Sequence, residues 1–368
     1  MKKTYRLAAL ASAAALAFAA CGEAPDEEGT ATDDDTAAEE TAAPEEPAAD
    51  FTGCMVTDEG GVDDKSFNQS AYEGLVAASQ AGVIGEPRVV ESNAAADYEP
   101  NVESMVAEDC GLIVTVGFLL ADTTQAAAEA NPEEQFAIVD FIWEEPIENV
   151  RPLVFNTHEA AFLAGYVAAG YTETGTVGTW GGMKIPTVTI FMDGFYDGVQ
   201  HYNETHDTDV NVVGWDKESQ DGQFVGDFSN TTLALQISEN LIDAGADIVL
   251  PVAGPLGEQA AIAARDAGET SVIWVDVDGY ETVPDYNDLI LTSVLKGITV
   301  AVETAATEAA DGTFSNEPFI GTLENEGVGI APFHDFEDDV PQELKDEVEQ
   351  IRQQIISGEI TVESDSAF

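Results

Sequence analysis

Asp58, Asp140 and Asp276 each follow an apolar run, and Asp122 lies six residues beyond another, behind Gly117-Phe118. A carboxylate at the carboxyl end of a strand accepts hydrogen bonds from a ligand hydroxyl or N–H. Several such acceptors in one crevice suit a neutral polyhydroxylated or heteroaromatic molecule. The competing reading of each aspartate is a cap on the turn or helix that follows. Phe67 and Phe228 sit among polar residues, where no core obviously claims them. Two such rings can sandwich a planar base, or simply pack against their own loops. Lys296 stands out because cations are scarce. It can orient carboxylates or meet a ribose hydroxyl, or be a solvated lysine at a helix start.

Signals for catalysis are missing. There is no G-x-S-x-G elbow, no H-E-x-x-H and no phosphate-binding glycine loop. His158, His201, His206 and His334 are scattered without metal-ligand spacing. The set reads as a binding site, with no cofactor and no metal expected.

The stretch around which these residues gather is 57–69, T-D-E-G-G-V-D-D-K-S-F-N-Q. An apolar run precedes it and a helical pattern over 70–81 follows. Ligands of open α/β sheets bind beyond the carboxyl ends of the strands, where a turn of this kind would lie. Strand and helix patterns then alternate along the chain. Strands are predicted at 54–56, 87–92, 112–116, 136–140 and 153–155, then at 176–180, 210–215, 247–252, 272–276 and 289–294. Helices fall between them. The spacing predicts an α/β fold of two doubly wound parallel-sheet lobes with a central cleft, like a type I periplasmic binding protein. The expected division gives 51–156 to an N-terminal lobe, with about 278–311 returning to it. The C-terminal lobe takes 157–277 and about 312–362.

The first fifty residues read differently. Lys2, Lys3 and Arg6 precede an apolar run over 7–20, the pattern of a signal peptide covering 1–20. It ends Ala17-Phe18-Ala19-Ala20-Cys21, which resembles a bacterial lipobox with Phe18 in place of the usual leucine. The expectation is a lipid on Cys21 and a membrane-anchored, extracytoplasmic protein. Residues 22–50 carry neither an aromatic nor a basic side chain, so 21–50 is predicted to be an acidic, disordered tether. No later stretch is apolar enough for a transmembrane helix.

The chain of 368 residues holds 12 Lys and Arg against 71 Asp and Glu, a formal charge of −59. That balance excludes nucleic acid as a partner, because phosphate binding needs clustered cations. The acid is spread along the whole chain, as on a surface adapted to concentrated salt, where screening removes self-repulsion. The melting temperature is then expected to rise between low and molar potassium chloride, and a flat response would exclude this. With Cys21 lipidated, Cys54 and Cys110 remain as a pair. They precede neighbouring strands of a 2-1-3-4-5 sheet, which allows either a disulfide or two buried thiols.

The chain resembles the basic membrane protein family of substrate-binding lipoproteins, the purine-nucleoside-receptor type. The carrying stretches are V-T-D-E-G-G-V-D-D-K-S-F-N-Q-S-A-Y-E-G-L at 56–75, V-G-F-L-L-A-D at 116–122, G-A-D-I-V-L-P-V-A-G at 245–254, V-D-V-D at 275–278 and L-T-S-V-L-K at 291–296. The resemblance implies that the base-stacking rings fall on Phe67 and Phe228, and a base- or ribose-contacting amide on Asn68. It places the first-strand aspartate on Asp58, the ribose-binding pair on Asp276 and Lys296, and a backbone-contacting glycine on Gly254. The base-recognising aspartate falls on Asp140 or Asp122. The family's glycine-rich turn reads Ala253-Gly254-Pro255-Leu256-Gly257 here, and its late aspartate-glutamine reads Asp278-Gly279. The implied function is delivery of a nucleoside to an ABC permease by a monomeric binding protein. The alternatives are a ligand-presenting sensor and a nucleoside hydrolase. The latter needs another carboxylate for calcium where Val56 stands.

Overall fold

The structure, a computed structural model, describes residues 51–368. The expected signal peptide, the tether and Cys21 lie outside the described residues. The chain begins with β1 (Gly53–Val56), α1 (Phe67–Gln80), β2 (Arg88–Val90), α2 (Tyr98–Ala107), β3 (Leu112–Val116), α3 (Ala121–Ala130), β4 (Phe136–Val139) and β5 (Val150–Phe155). A second set follows: α4 (Thr157–Tyr171), β6 (Thr176–Gly181), α5 (Pro186–His206), β7 (Asn211–Val213), the short hairpin β8 (Trp215–Asp216) and β9 (Asp221–Gly222), and α6 (Thr231–Asp243). The chain then runs through β10 (Ile248–Val252), α7 (Gly257–Ala267), β11 (Ser271–Asp276), α8 (Gly279–Thr282), β12 (Ile290–Lys296), α9 (Ile298–Ala310), β13 (Phe319–Gly321), β14 (Val328–Ile330) and α10 (Gln342–Ile356).

Two six-stranded sheets result, ordered β13-β5-β4-β3-β1-β2 and β14-β12-β11-β10-β6-β7. Every pairing in the first is parallel; in the second only β12 with β14 is antiparallel. The central strands are apolar on both faces because helices cover both faces, as a parallel sheet requires. β3 and β10 are buried at every position. The 2-1-3-4-5 order expected of the first sheet is present. Cys54 and Cys110 form a disulfide with Cα atoms 5.9 Å apart, so the alternative of two free thiols is not realised. Closing a loop across 56 residues stabilises the fold by about 4 kcal/mol in the chain-entropy picture.

The strand memberships differ from the expected lobe division at two segments. Strand β12, expected within the part returning to the first lobe, pairs with β11 in the second sheet. Strand β13, expected in the second lobe, pairs with β5 in the first. The chain crosses between the sheets three times: after β5, after β12 and after β13. Nothing local in an apolar strand says which of two similar sheets it joins. The crossing segments bond to one another, Asn156 N–H to Gly321 O at 2.7 Å and Gly297 N–H to Gly327 O at 2.8 Å. Glycine is needed there, since a Cβ on Gly327 would come within 2.3 Å of the Gly321 Cα.

Among the described residues no helix is long and apolar enough to cross a membrane.

Candidate functional site

The carboxyl ends of both sheets face one cleft. The cleft is half open, and its roughly 540 Å³ of empty space runs into solvent. Asp58, Phe67, Asn68, Asp140, Phe228, Gly254, Asp276 and Lys296 all line it. Asp122 does not. It is exposed in the first turn of α3, where a carboxylate complements the helix N-terminus. Of the two candidates for base recognition, only Asp140 stands in the cleft.

The first wall is built by the turn after β1. Helix α1 starts at Phe67, three residues before the pattern predicts, because Asp64 caps it. Asp64 Oδ1 accepts from the N–H of Ser66 at 3.0 Å and of Gln69 at 3.1 Å, and Oδ2 from that of Asn68 at 2.8 Å. Asp64 is therefore turn-shaping but not solvated: it is 1% exposed. Phe67 and Asn68 become first-turn helix residues, so their directions are fixed by a rigid element. Asn68 Nδ2 donates to Asp58 Oδ1 at 2.9 Å, while Asn68 Oδ1 is buried without a protein partner. Gly117, at φ +113°, makes room for this pair, because a Cβ there would lie 2.4 Å from Asp58 Oδ2. Burial pushes the Asp58 carboxyl well above the usual carboxylate range; the Asn68 bond opposes this, and the neighbouring Asp64, Glu59 and Asp140 add to it.

Asp140 and Asp276 occupy equivalent places. Each terminates the third strand of its sheet, and both hold left-handed backbone, φ +67° and +69°, which aspartate tolerates better than most residues. Between them stands Lys296, at the end of β12 where the chain crosses lobes. Its Nζ is 2.5 Å from Asp140 Oδ2 and 3.8 Å from Asp276 Oδ1. The ammonium also lies over three rings, Phe67 at 4.9 Å and Phe155 and Phe191 at 5.5 Å. Burial lifts Asp140 above its ordinary value, and the Lys296 charge and hydrogen bond pull against that.

The second wall carries Phe228. Residues 225–226 run along the end of β6, with Val225 N–H bonded to Gly181 O and Gly226 N–H to Gly182 O. Asp227 Oδ1 then accepts from Ser229 and Asn230 N–H and turns the chain into α6. The Phe228 ring lies on Gly182, whose missing Cβ would sit 2.3 Å from the ring edge. Sequence reasoning missed the rest of this wall: Ile185, Thr187, Val188 and Phe191 at the start of α5, and Val252 and Val275. The signal for the first four was present in Pro186, which marks a helix start directly after strand β6.

Chemically, the cleft offers carboxylate acceptors from both lobes, one cation, one unpaired amide oxygen and aromatic or aliphatic walls.

Comparison with known proteins agrees with this geometry. The family model of PnrA-like ABC transporter substrate-binding proteins, Bmp, matches residues 51–366. The ABC transporter nucleoside-binding protein BmpA of Lactococcus lactis is 32% identical, over 86% of this chain and 90% of that protein. A CD4+ T-cell-stimulating antigen of Listeria monocytogenes is 31% identical, over 98% of each. Among solved structures, a solute-binding protein of an ABC transporter system from Aeropyrum pernix superposes with a TM-score of 0.76 at 26% identity, covering 86% of this chain and 94% of that one. The chain belongs to the Bmp family of PnrA-like ABC transporter substrate-binding proteins, and it is a binding protein of the type I fold, not an enzyme.

Proposed function

We propose that this protein binds a purine nucleoside between its lobes and presents it, as a lipid-anchored monomer outside the cytoplasmic membrane, to an ABC permease. The observation that carries the ligand class is one aromatic ring from each lobe, Phe67 and Phe228, lining a cleft whose polar groups are Asp58, Asn68, Asp140, Asp276 and Lys296. The base stacks between the rings. Asp140, with Asp58 and Asn68, reads its polar edge. Asp276 and Lys296 meet the ribose hydroxyls, and the backbone at Gly254 closes the site. The name of the Lactococcus relative supports the same reading.

The charge of the cleft narrows the class. Asp58, Glu59, Asp64, Asp140 and Asp276 line it against one cation among the described residues, Lys296. A phosphate would bring negative charge into this field, so nucleosides are favoured over nucleotides. Contacts drawn from both lobes favour the closed form, since only that form makes them all.

The test is mass spectrometry of small molecules released on denaturing the purified protein, followed by calorimetry with inosine, guanosine, adenosine and AMP. A nucleoside is expected among the released molecules, with a dissociation constant on the order of micromolar or below and no measurable AMP binding. Absence of binding by every nucleoside would overturn the ligand class.

A further inference from the structure

Ser66 stands where a helix cap is expected and does not cap. It directly precedes α1, and serine is favoured at that place because its hydroxyl accepts from a first-turn N–H. Here the side chain makes no capping bond. Asp64, two residues earlier, has taken that work through three backbone N–H groups. The hydroxyl of Ser66 is thereby free for another partner. It donates to Asp276 Oδ2 at 2.5 Å, and Val275 O lies at 3.4 Å. Ser66 is fully buried. Beside it, Trp274 Nε1 donates to Lys65 O at 3.4 Å. Residues 65 and 66 belong to the turn after β1, whereas residues 274–276 end β11 in the other sheet. Both bonds therefore join one lobe to the other.

We infer that Ser66 is a latch between the lobes: a positioning residue whose hydroxyl holds the Asp276 carboxylate and keeps the cleft shut. A hydroxyl donating to an ionised carboxylate is among the stronger hydrogen bonds. It claims Oδ2 and leaves Oδ1 toward Lys296, 3.8 Å away. Opening the cleft separates the two groups and returns each to water. The net bias is accordingly modest, which a protein that must release its ligand requires. The latch stands on protein–protein contacts alone; only its effect on ligand release rests on the nucleoside reading.

The experiment uses the full chain with Ser66→Ala. Small-angle scattering of the ligand-free protein is expected to show a larger radius of gyration for the variant than for the wild type. Its melting temperature should stay close to that of the wild type, because Asp64 still caps α1. Trp274→Phe, which removes the Nε1 donor and leaves a smaller ring, is expected to move the radius in the same direction. Equal radii for wild type and Ser66→Ala overturn the latch, as does a large fall in melting temperature with no change in radius, which is the mark of a cap. Release of inosine, followed by stopped flow, should be about tenfold faster from Ser66→Ala with association unchanged. Failure of the wild type to bind inosine would count against the nucleoside reading, and the scattering result would still decide the latch.

Discussion

Replacing Lys296 by methionine should cost the protein its ligand and about 3–5 kcal/mol of stability, the usual penalty for removing one partner of a buried ion pair. The Lys296 and Asp140 side chains are 2% and 4% exposed, and Asp276, at the end of the strand paired with that of Lys296, faces the same ammonium. Methionine keeps most of the aliphatic stem, so the loss reports charge more than volume. Two carboxylates would then be left buried near each other without a cation. Asp140 is already held above its ordinary value by burial, with Lys296 as the largest opposing influence. In the variant its pKa must rise further, and protonation caps the penalty at about 1.4 kcal/mol for each unit by which the pH exceeds the carboxyl's unfolded-state pKa. The sign follows from linkage. A carboxyl with a raised native pKa binds more protons when folded than when unfolded, so its stability contribution falls as pH rises through that window. The gap between variant and wild type in urea unfolding should therefore narrow from pH 7 to about pH 5. Adding Asp140→Asn should recover part of the loss at pH 7. A Lys296→Met protein as stable as the wild type would mean that the ion pair is not formed in solution.

The legible part of the site lay at the ends of apolar runs. Asp58, Asp140 and Asp276 were readable because a buried parallel strand is a run of apolar letters, and its carboxyl end is where the crevice opens. Lys296 was readable by scarcity. The rest depended on choices that adjacent letters do not decide. Residues 63–66 hold two aspartates and a serine, any of which can cap a helix; the structure gives the cap to Asp64 and sends the Ser66 hydroxyl across the cleft. Asp122 follows a strand and a turn much as a ligand-facing residue would, but a 3₁₀ turn at Phe118–Leu120 carries it past the cleft into α3. The shared position of Asp140 and Asp276 was invisible, because the lobes repeat each other in strand order and not in sequence.

Phe67→Ala should weaken nucleoside binding by about 1–3 kcal/mol, the range found when a stacked base loses its aromatic partner. Two separate losses follow from the geometry, and they are read in different experiments. The Lys296 ammonium lies 4.9 Å from the ring centroid. That attraction is made within the protein, so its loss lowers stability, by about 0.5–2 kcal/mol. Stacking exists only in the complex and appears in calorimetry. Phe67→Leu separates the two causes of tight binding: it keeps apolar bulk and removes the flat face, so affinity should fall nearly as far as with alanine if stacking dominates. Phe228→Ala should cost less. Phe67 is the first residue of a helix fixed by the Asp64 cap, whereas Phe228 rides a loop ordered by Gly182 and Asp227. The more rigid ring loses less freedom on binding and returns more of its contact energy as affinity. Equal affinities for the wild type and Phe67→Ala would remove Phe67 from the site. A larger loss from Phe228→Ala would make the second lobe the principal reader of the base.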